Sequence, residues 1–223
     1  MTDILAVLIS FVVVFIMLGL AEGLRKAFRL DAEFTRKLVH VSVGMWAWGT
    51  ALLFQSTWFA IIPPASFIVL NYISYRRGLF KAMESGDRLN LGTVYFPIAF
   101  VLLILVFFDS NRVLFVAALM PMTWGDAFAA IVGRLKGAHK FTIFGTTRSL
   151  EGSLTMLVLS FVSLFITLLL FMDSPALALF LSVPVAVLVT VVEAVSPWGL
   201  DNLLVPAATA LGLAGMLSLF IIV

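Results

Sequence analysis

Eight apolar stretches, each too long for a soluble core, decide what this chain can become. A run of about 18 or more apolar residues reads as a helix that crosses a bilayer. Lipid offers backbone N–H and C=O groups no partners, so each segment must satisfy its own, and a helix does so. The stretches cover roughly residues 4–21, 38–54, 58–75, 91–108, 113–132, 154–172, 177–195 and 203–223; the second is short. They consume most of the 223 residues, so no separate soluble domain fits beside them. The expectation is one domain over residues 1–223: all-α, a polytopic membrane bundle of about eight transmembrane helices. A mean hydropathy of +1.15 agrees. Any reactive site must come from helix ends and short loops.

Charge placement orients the bundle. Arg25, Lys26, Arg29, Arg36 and Lys37 follow the first stretch, and Arg76, Arg77, Lys81 and Arg88 the third. Arg134, Lys136, Lys140 and Arg148 follow the fifth. Those linkers share one side of the membrane; of the 14 basic residues only Arg112 falls on the other. The positive-inside rule makes the basic side cytoplasmic and puts both termini outside. The loops on that side are the longer ones, 22–37, 76–90, 133–151 and 196–202, which sets the working surface there. Only Met1, Thr2 and Asp3 precede the first stretch, so it reads as a retained helix in a cell inner membrane or an organelle membrane. With no cysteine there is no disulfide, thiolate nucleophile or zinc–thiolate site, and two histidines are too few for a histidine-rich metal centre.

The charges that remain concentrate in 124–153, where Asp126, Arg134, Lys136, His139, Lys140, Arg148 and Glu151 alternate with glycines. Asp126 sits within an apolar stretch, with Gly133 two helical turns on along the same face. An ionisable group inside a membrane segment is costly, which points to function; close packing of small residues is the plainer alternative. Glu193 ends an apolar stretch and is followed by Asp201 and Asn202. If Asp126, Glu193 and Asp201 converge, they make an oxygen-rich pocket for Mg²⁺, a hard cation that favours carboxylates; Asp201 and Asn202 could equally cap the last helix. Lys136, Lys140 and Arg148 could neutralise phosphate, with Gly137 and Gly145 letting backbone N–H groups approach. GxxxxGK[ST] is absent, so an ordinary P-loop is excluded. Ser149 and Ser153 read as caps or phosphate contacts rather than nucleophiles, because no histidine–acid pair is placed to activate them. Arg36, His40 and Gly44 share one helical face, either as part of a site or as a topology-setting cluster.

Four pieces in this order resemble a known family. Arg36-Lys37…His40, Gly125-Asp126…Gly133…Gly137…Lys140, Ser149-Leu150-Glu151-Gly152-Ser153 and Glu193…Asp201-Asn202…Pro206 are similar to motifs of the polyprenol-type lipid kinases. That group comprises phytol kinase, dolichol kinase and the CTP-dependent diacylglycerol kinase, related to membrane cytidylyltransferases. The phytol kinase branch is nearest in length and pattern. One departure is Arg148, where relatives often carry lysine; arginine still binds phosphate, more rigidly. The resemblance implies phosphoryl transfer from a nucleoside triphosphate, CTP, to the hydroxyl of an isoprenoid alcohol.

The roles then expected are these. Asp126, Glu193 and Asp201 hold Mg²⁺. Arg36, Lys37, Gly133, Lys136, Gly137, Lys140, Arg148, Ser149, Glu151, Gly152, Ser153 and Asn202 form the nucleotide site, and Glu193 joins the catalytic groups. Glu151 is a metal ligand or orients a lysine. Asp126 is the first choice of general base and His40 the second. Partners are a membrane lipid alcohol and the nucleotide, with no nucleic acid; a homo-oligomer stays open. Two rivals are a cytidylyltransferase making a CDP-activated lipid, which needs nearly the same groups, and a small-solute transporter. A transporter places polar groups at mid-membrane, whereas here they gather at the ends of the spans.

Overall fold

The computed structural model describes residues 1–77 and 90–221, with backbone alone for Phe220 and Ile221. Lys81, Arg88 and the last two residues of the eighth apolar stretch lie outside them. Helix forms along the apolar runs but does not stop where they stop. α1 (Asp3–Phe28) continues through Glu22, Arg25 and Lys26, whose i,i+3 and i,i+4 ion pairs support the polar extension. Arg29, in the left-handed region with φ of 51°, ends it. Asp31 then caps α2 (Ala32–Leu53), its carboxylate accepting the Glu33 N–H at 2.9 Å. α3 (Thr57–Arg77) and α4 (Gly92–Phe107) follow.

Residues Arg112–Lys136 form one rod built from α5 (Arg112–Met120), a π segment (Pro121–Asp126) and α6 (Ala127–Lys136). Pro121 has no N–H to give to the preceding turn, and the ladder widens there. The rod is the axis of the bundle. Of its most apolar window 72% is buried, against 22–33% for the other five helices long and apolar enough to cross a membrane. It touches α2, α4, α7 (Leu150–Leu169) and α9 (Asp201–Ile221), with α8 (Pro175–Val195) packed between those last two. Phe96, Phe100, Phe115 and Phe108 meet edge to face at 5.6–6.1 Å, linking α4 to the rod. Ile4, Leu52, Trp58, Leu170 and Leu211 are more than half exposed on the outer faces, as lipid contact requires. With α2 and the shorter apolar α4, the described residues make eight rods, as the apolar stretches imply.

The two ends of the bundle differ. At one end Arg112 donates to the carbonyls of Ala51 and Phe54, both at 2.8 Å, and lies 4.1 Å above the Phe108 ring, closing the end of α2. At the basic end the loop expected over 133–151 is shorter and ordered. α6 runs on to Lys136, α7 begins at Leu150, and β1 (Lys140–Ile143) pairs antiparallel with β2 (Thr146–Ser149) between them. Ile143 faces Thr146 across a two-residue turn, Phe144-Gly145, whose φ values of 47° and 78° are those of a type I′ hairpin. The all-α expectation holds for the spans, with this hairpin added.

Candidate active site

The site begins where α2 runs along the π segment. A methyl group on Gly44 would lie 2.2 Å from Thr123 Oγ1, so the glycine sets the closeness of the two helices. One turn toward the basic end, His40 Nε2 meets the Met122 carbonyl at 2.9 Å. A carbonyl only accepts, so Nε2 carries the hydrogen and a neutral ring keeps its lone pair on Nδ1. One turn further, Lys37 pairs with Asp126 across 89 residues of sequence. Both side chains are buried, at 4% and 2% exposure.

Glu193, near the end of α8, and Asp201, first in α9, close the other side. One oxygen each from Asp126, Glu193 and Asp201 lies within 4.8 Å of the others. Three carboxylates this close repel unless cations intervene, and two do. Lys37 holds Asp126. Arg148, from the end of β2, gives Nη1 to Glu193 Oε1 at 2.9 Å and Nη2 to Asp201 Oδ2 at 2.8 Å. Burial disfavours the guanidinium charge, yet Glu193 and Asp201 hold Arg148 above its ordinary pKa. Its Nε is buried without a partner among the described residues. Asp201 Oδ1 accepts the backbone and side-chain N–H of Asn202 at 2.9 and 2.8 Å, so the pair starts α9 and serves the cluster together.

A cavity of about 420 Å³ opens on this cluster, with Arg36, Lys37, Asp126, Arg148, Asp201 and Asn202 in its walls. A second, of about 310 Å³, shares Arg148 and continues past Glu193, Lys140, Ser149 and Ser153. Glu33 lines both cavities and holds Arg36 in the wall of the first, the Arg36 Nε donating at 3.0 Å. Gly133 and Gly152 line the second cavity where α6 crosses α7; a methyl on Gly152 would lie 3.0 Å from the Ala129 carbonyl. Gly137 packs on the Gly133 carbonyl and on Ser149 rather than opening a phosphate cradle. Ser149 caps α7, accepting the Gly152 N–H at 3.1 Å. Ser153 Oγ is buried without a partner among the described residues.

Three expected side chains line neither polar cavity. Lys136 is exposed at the end of α6. Glu151 takes the His139 backbone N–H at 3.2 Å and pairs with its Nδ1 at 2.7 Å. His40 faces an apolar groove, its ring 4.3 Å from that of Phe96. Other wall residues escape a reading by motif. Glu33 is legible only as an i,i+3 partner of Arg36. Thr146, Thr147 and the Trp198-Gly199 turn carry no charge to flag them, although Pro197-Trp198-Gly199 is a turn signal.

No family model and no solved structure matches the chain. The phytol kinase of Synechocystis sp. is 33% identical over 195 residues, 86% of this chain and 82% of that protein. Probable phytol kinase 1, chloroplastic, of Oryza sativa subsp. japonica is 31% identical over 219 residues, 85% of this chain and 66% of its own. Farnesol kinase, chloroplastic, of Arabidopsis thaliana is 24% identical over 175 residues, 73% and 56% of the two chains. These relatives are phosphotransferases that act on an alcohol group. The chain belongs to the phytol kinase family, as its four motifs imply.

Proposed function

We propose that this membrane enzyme transfers the terminal phosphate of CTP to the hydroxyl of an isoprenoid alcohol, phytol or a polyprenol, at the cytoplasmic face. The observation that carries the reading is the cluster of Asp126, Glu193 and Asp201, buried, flanked by Lys37 and Arg148, and open to a polar cavity. Phosphoryl transfer needs positioning and neutralisation of phosphate charge more than covalent chemistry from the protein. The alcohol oxygen forms a bond to the γ-phosphorus, the bond to the β–γ bridging oxygen breaks, and the nucleoside diphosphate leaves. The alcohol's proton passes to a base.

Three carboxylate oxygens are a hard donor set of the kind Mg²⁺ takes, so the residues fit that ion. Bound there, Mg²⁺ would supply neutralisation of the phosphate oxygens. The chain's own part follows from its cations. Lys37, Arg148 and Arg36 line the cavity and neutralise the triphosphate, with Lys140 reaching it from the adjoining space. Asp126 is the base we favour, because its carboxylate faces the polar cavity whereas His40 faces the apolar groove. CTP as donor rests on the resemblance to CTP-dependent relatives, and the cytoplasmic orientation on the basic loops.

The test is incubation of purified protein with Mg²⁺, a panel of lipid alcohols and γ-labelled CTP or ATP in parallel. Label on the lipid is the expected result, with CTP the better donor. Pyrophosphate release with a nucleotide-linked lipid would overturn the kinase reading in favour of nucleotidyl transfer.

A further inference from the structure

The nucleotide cavity explains one substrate; the other needs a place from which its hydroxyl reaches the same carboxylates. α1, α2, α3 and α4 enclose a groove of different character. Val14, Leu18, Val43, Phe67 and Phe100 line it, with Trp46 and Thr50 toward the end distant from the carboxylates. From Arg36 to Thr50 along α2, at 1.5 Å per residue, it extends about 21 Å, well into a hydrocarbon core of about 30 Å. Arg36 and Asn202 line both this groove and the polar cavity, so the two spaces meet at those residues.

The near end of the groove is polar. Asn202 packs its amide against Gly92, at the start of α4. Asn71 of α3 donates to the Thr93 carbonyl in that same first turn, at 2.7 Å. Asn71 is itself 8% exposed, and its carboxamide oxygen has no partner among the described residues. An apolar slot closed by a buried, unpaired hydrogen-bond acceptor matches one kind of ligand: a long hydrocarbon ending in a single hydroxyl donor. A phospholipid would bring a charged phosphate and two chains to the same end.

Resting on the kinase reading, we propose that this groove seats the isoprenoid tail of the acceptor, with Asn71 and Asn202 positioning its hydroxyl at the junction beside Arg36. Val43 lies about 10 Å along α2 from Arg36, beyond the reach of an alcohol of one isoprene unit. Filling the groove there discriminates by chain length, whereas disturbing the nucleotide site does not.

The experiment uses full-length protein in lipid nanodiscs and a farnesol analogue carrying a diazirine on its tail. Irradiation is expected to attach the probe to residues of α2, α3 and α4 lining the groove, and unlabelled phytol, but not phosphatidylglycerol, is expected to compete. Adducts confined to the outer faces of α7 and α8, or equal competition by phosphatidylglycerol, would overturn the proposal. In the kinetic arm, Val43→Trp raises KM for phytol about tenfold relative to prenol and leaves the nucleotide KM within about twofold. Trp46→Ala moves the phytol-to-prenol ratio the other way, which a folding defect in the first variant cannot mimic. An unchanged ratio in both overturns the assignment. If the wild type phosphorylates no alcohol, the kinase reading falls, and the crosslink map still decides what the groove holds.

Discussion

Lys37 and Asp126 show how a residue can be both structural and functional. The two charges are buried and paired, and removing one leaves the other uncompensated at a cost of about 3–5 kcal/mol. Asp126→Ala and Lys37→Ala are each expected to destabilise the protein in detergent by about that free energy, read as a lower melting temperature. The double variant Lys37→Met/Asp126→Leu is expected to recover most of it while staying inactive. Equal melting of single and double variants would show that the pair is uncoupled. Arg148 makes a stricter demand, since its fork reaches two carboxylates at once. A lysine there is one point charge, so Arg148→Lys is expected to keep the fold and lose about tenfold in turnover. Asp126, Glu193, Asp201 and Arg148 were legible as rare charges in an apolar chain. Which cation faces which carboxylate was not, because the Lys37–Asp126 pairing depends on how α2 lies along the π segment.

At the scale of elements, the apolar runs located every span but none of the polar extensions. α1 gains its last two turns, and α2 its first, from residues such as Arg25 and Glu33 that a lipid-length window leaves out, yet their i,i+3 pairs favour helix. The hairpin was hidden because 140–149 is short and mixed; its signals were the β-branched residues Thr142, Ile143, Thr146 and Thr147 around Gly145. Gly145 holds a φ of 78°, so Gly145→Val is expected to loosen the hairpin and the placement of Arg148. The check is a rise in nucleotide KM with little change in melting temperature. Gly44→Ala presses on Thr123 and is expected to cost about 1–3 kcal/mol, because α2 must move off the π segment. Asp31 joins the α1–α2 corner to Arg134 of α6, and the Arg134 guanidinium holds its carboxyl below the usual carboxylate range. A depressed folded value gives a contribution that is full above the unfolded pKa of about 3.9 and fades as pH falls through the folded one. Both groups are half-exposed, so salt weakens the link at neutral pH.

For the whole molecule, the arrangement divides labour between two halves of one bundle. The central rod, α7, α8, α9 and the hairpin carry the carboxylates with Lys140 and Arg148, while α1 to α4 supply Arg36 and Lys37 and enclose an apolar groove that reaches the same point. No sequence pattern marked that groove, since Val, Leu and Phe facing a ligand look like Val, Leu and Phe facing lipid. A chelator is expected to abolish turnover and added Mg²⁺ to restore it, with the helical signal unchanged throughout. The most direct measurement is the rate of label transfer from γ-labelled nucleotide to a lipid alcohol by Asp126→Asn, compared with wild type in nanodiscs. The variant keeps the side-chain volume and removes the charge. The expected result is a protein still monodisperse and helical, though less stable for leaving Lys37 without its partner, whose turnover per folded molecule falls about a hundredfold or more; turnover within about twofold of wild type would contradict a reaction centred on the three carboxylates.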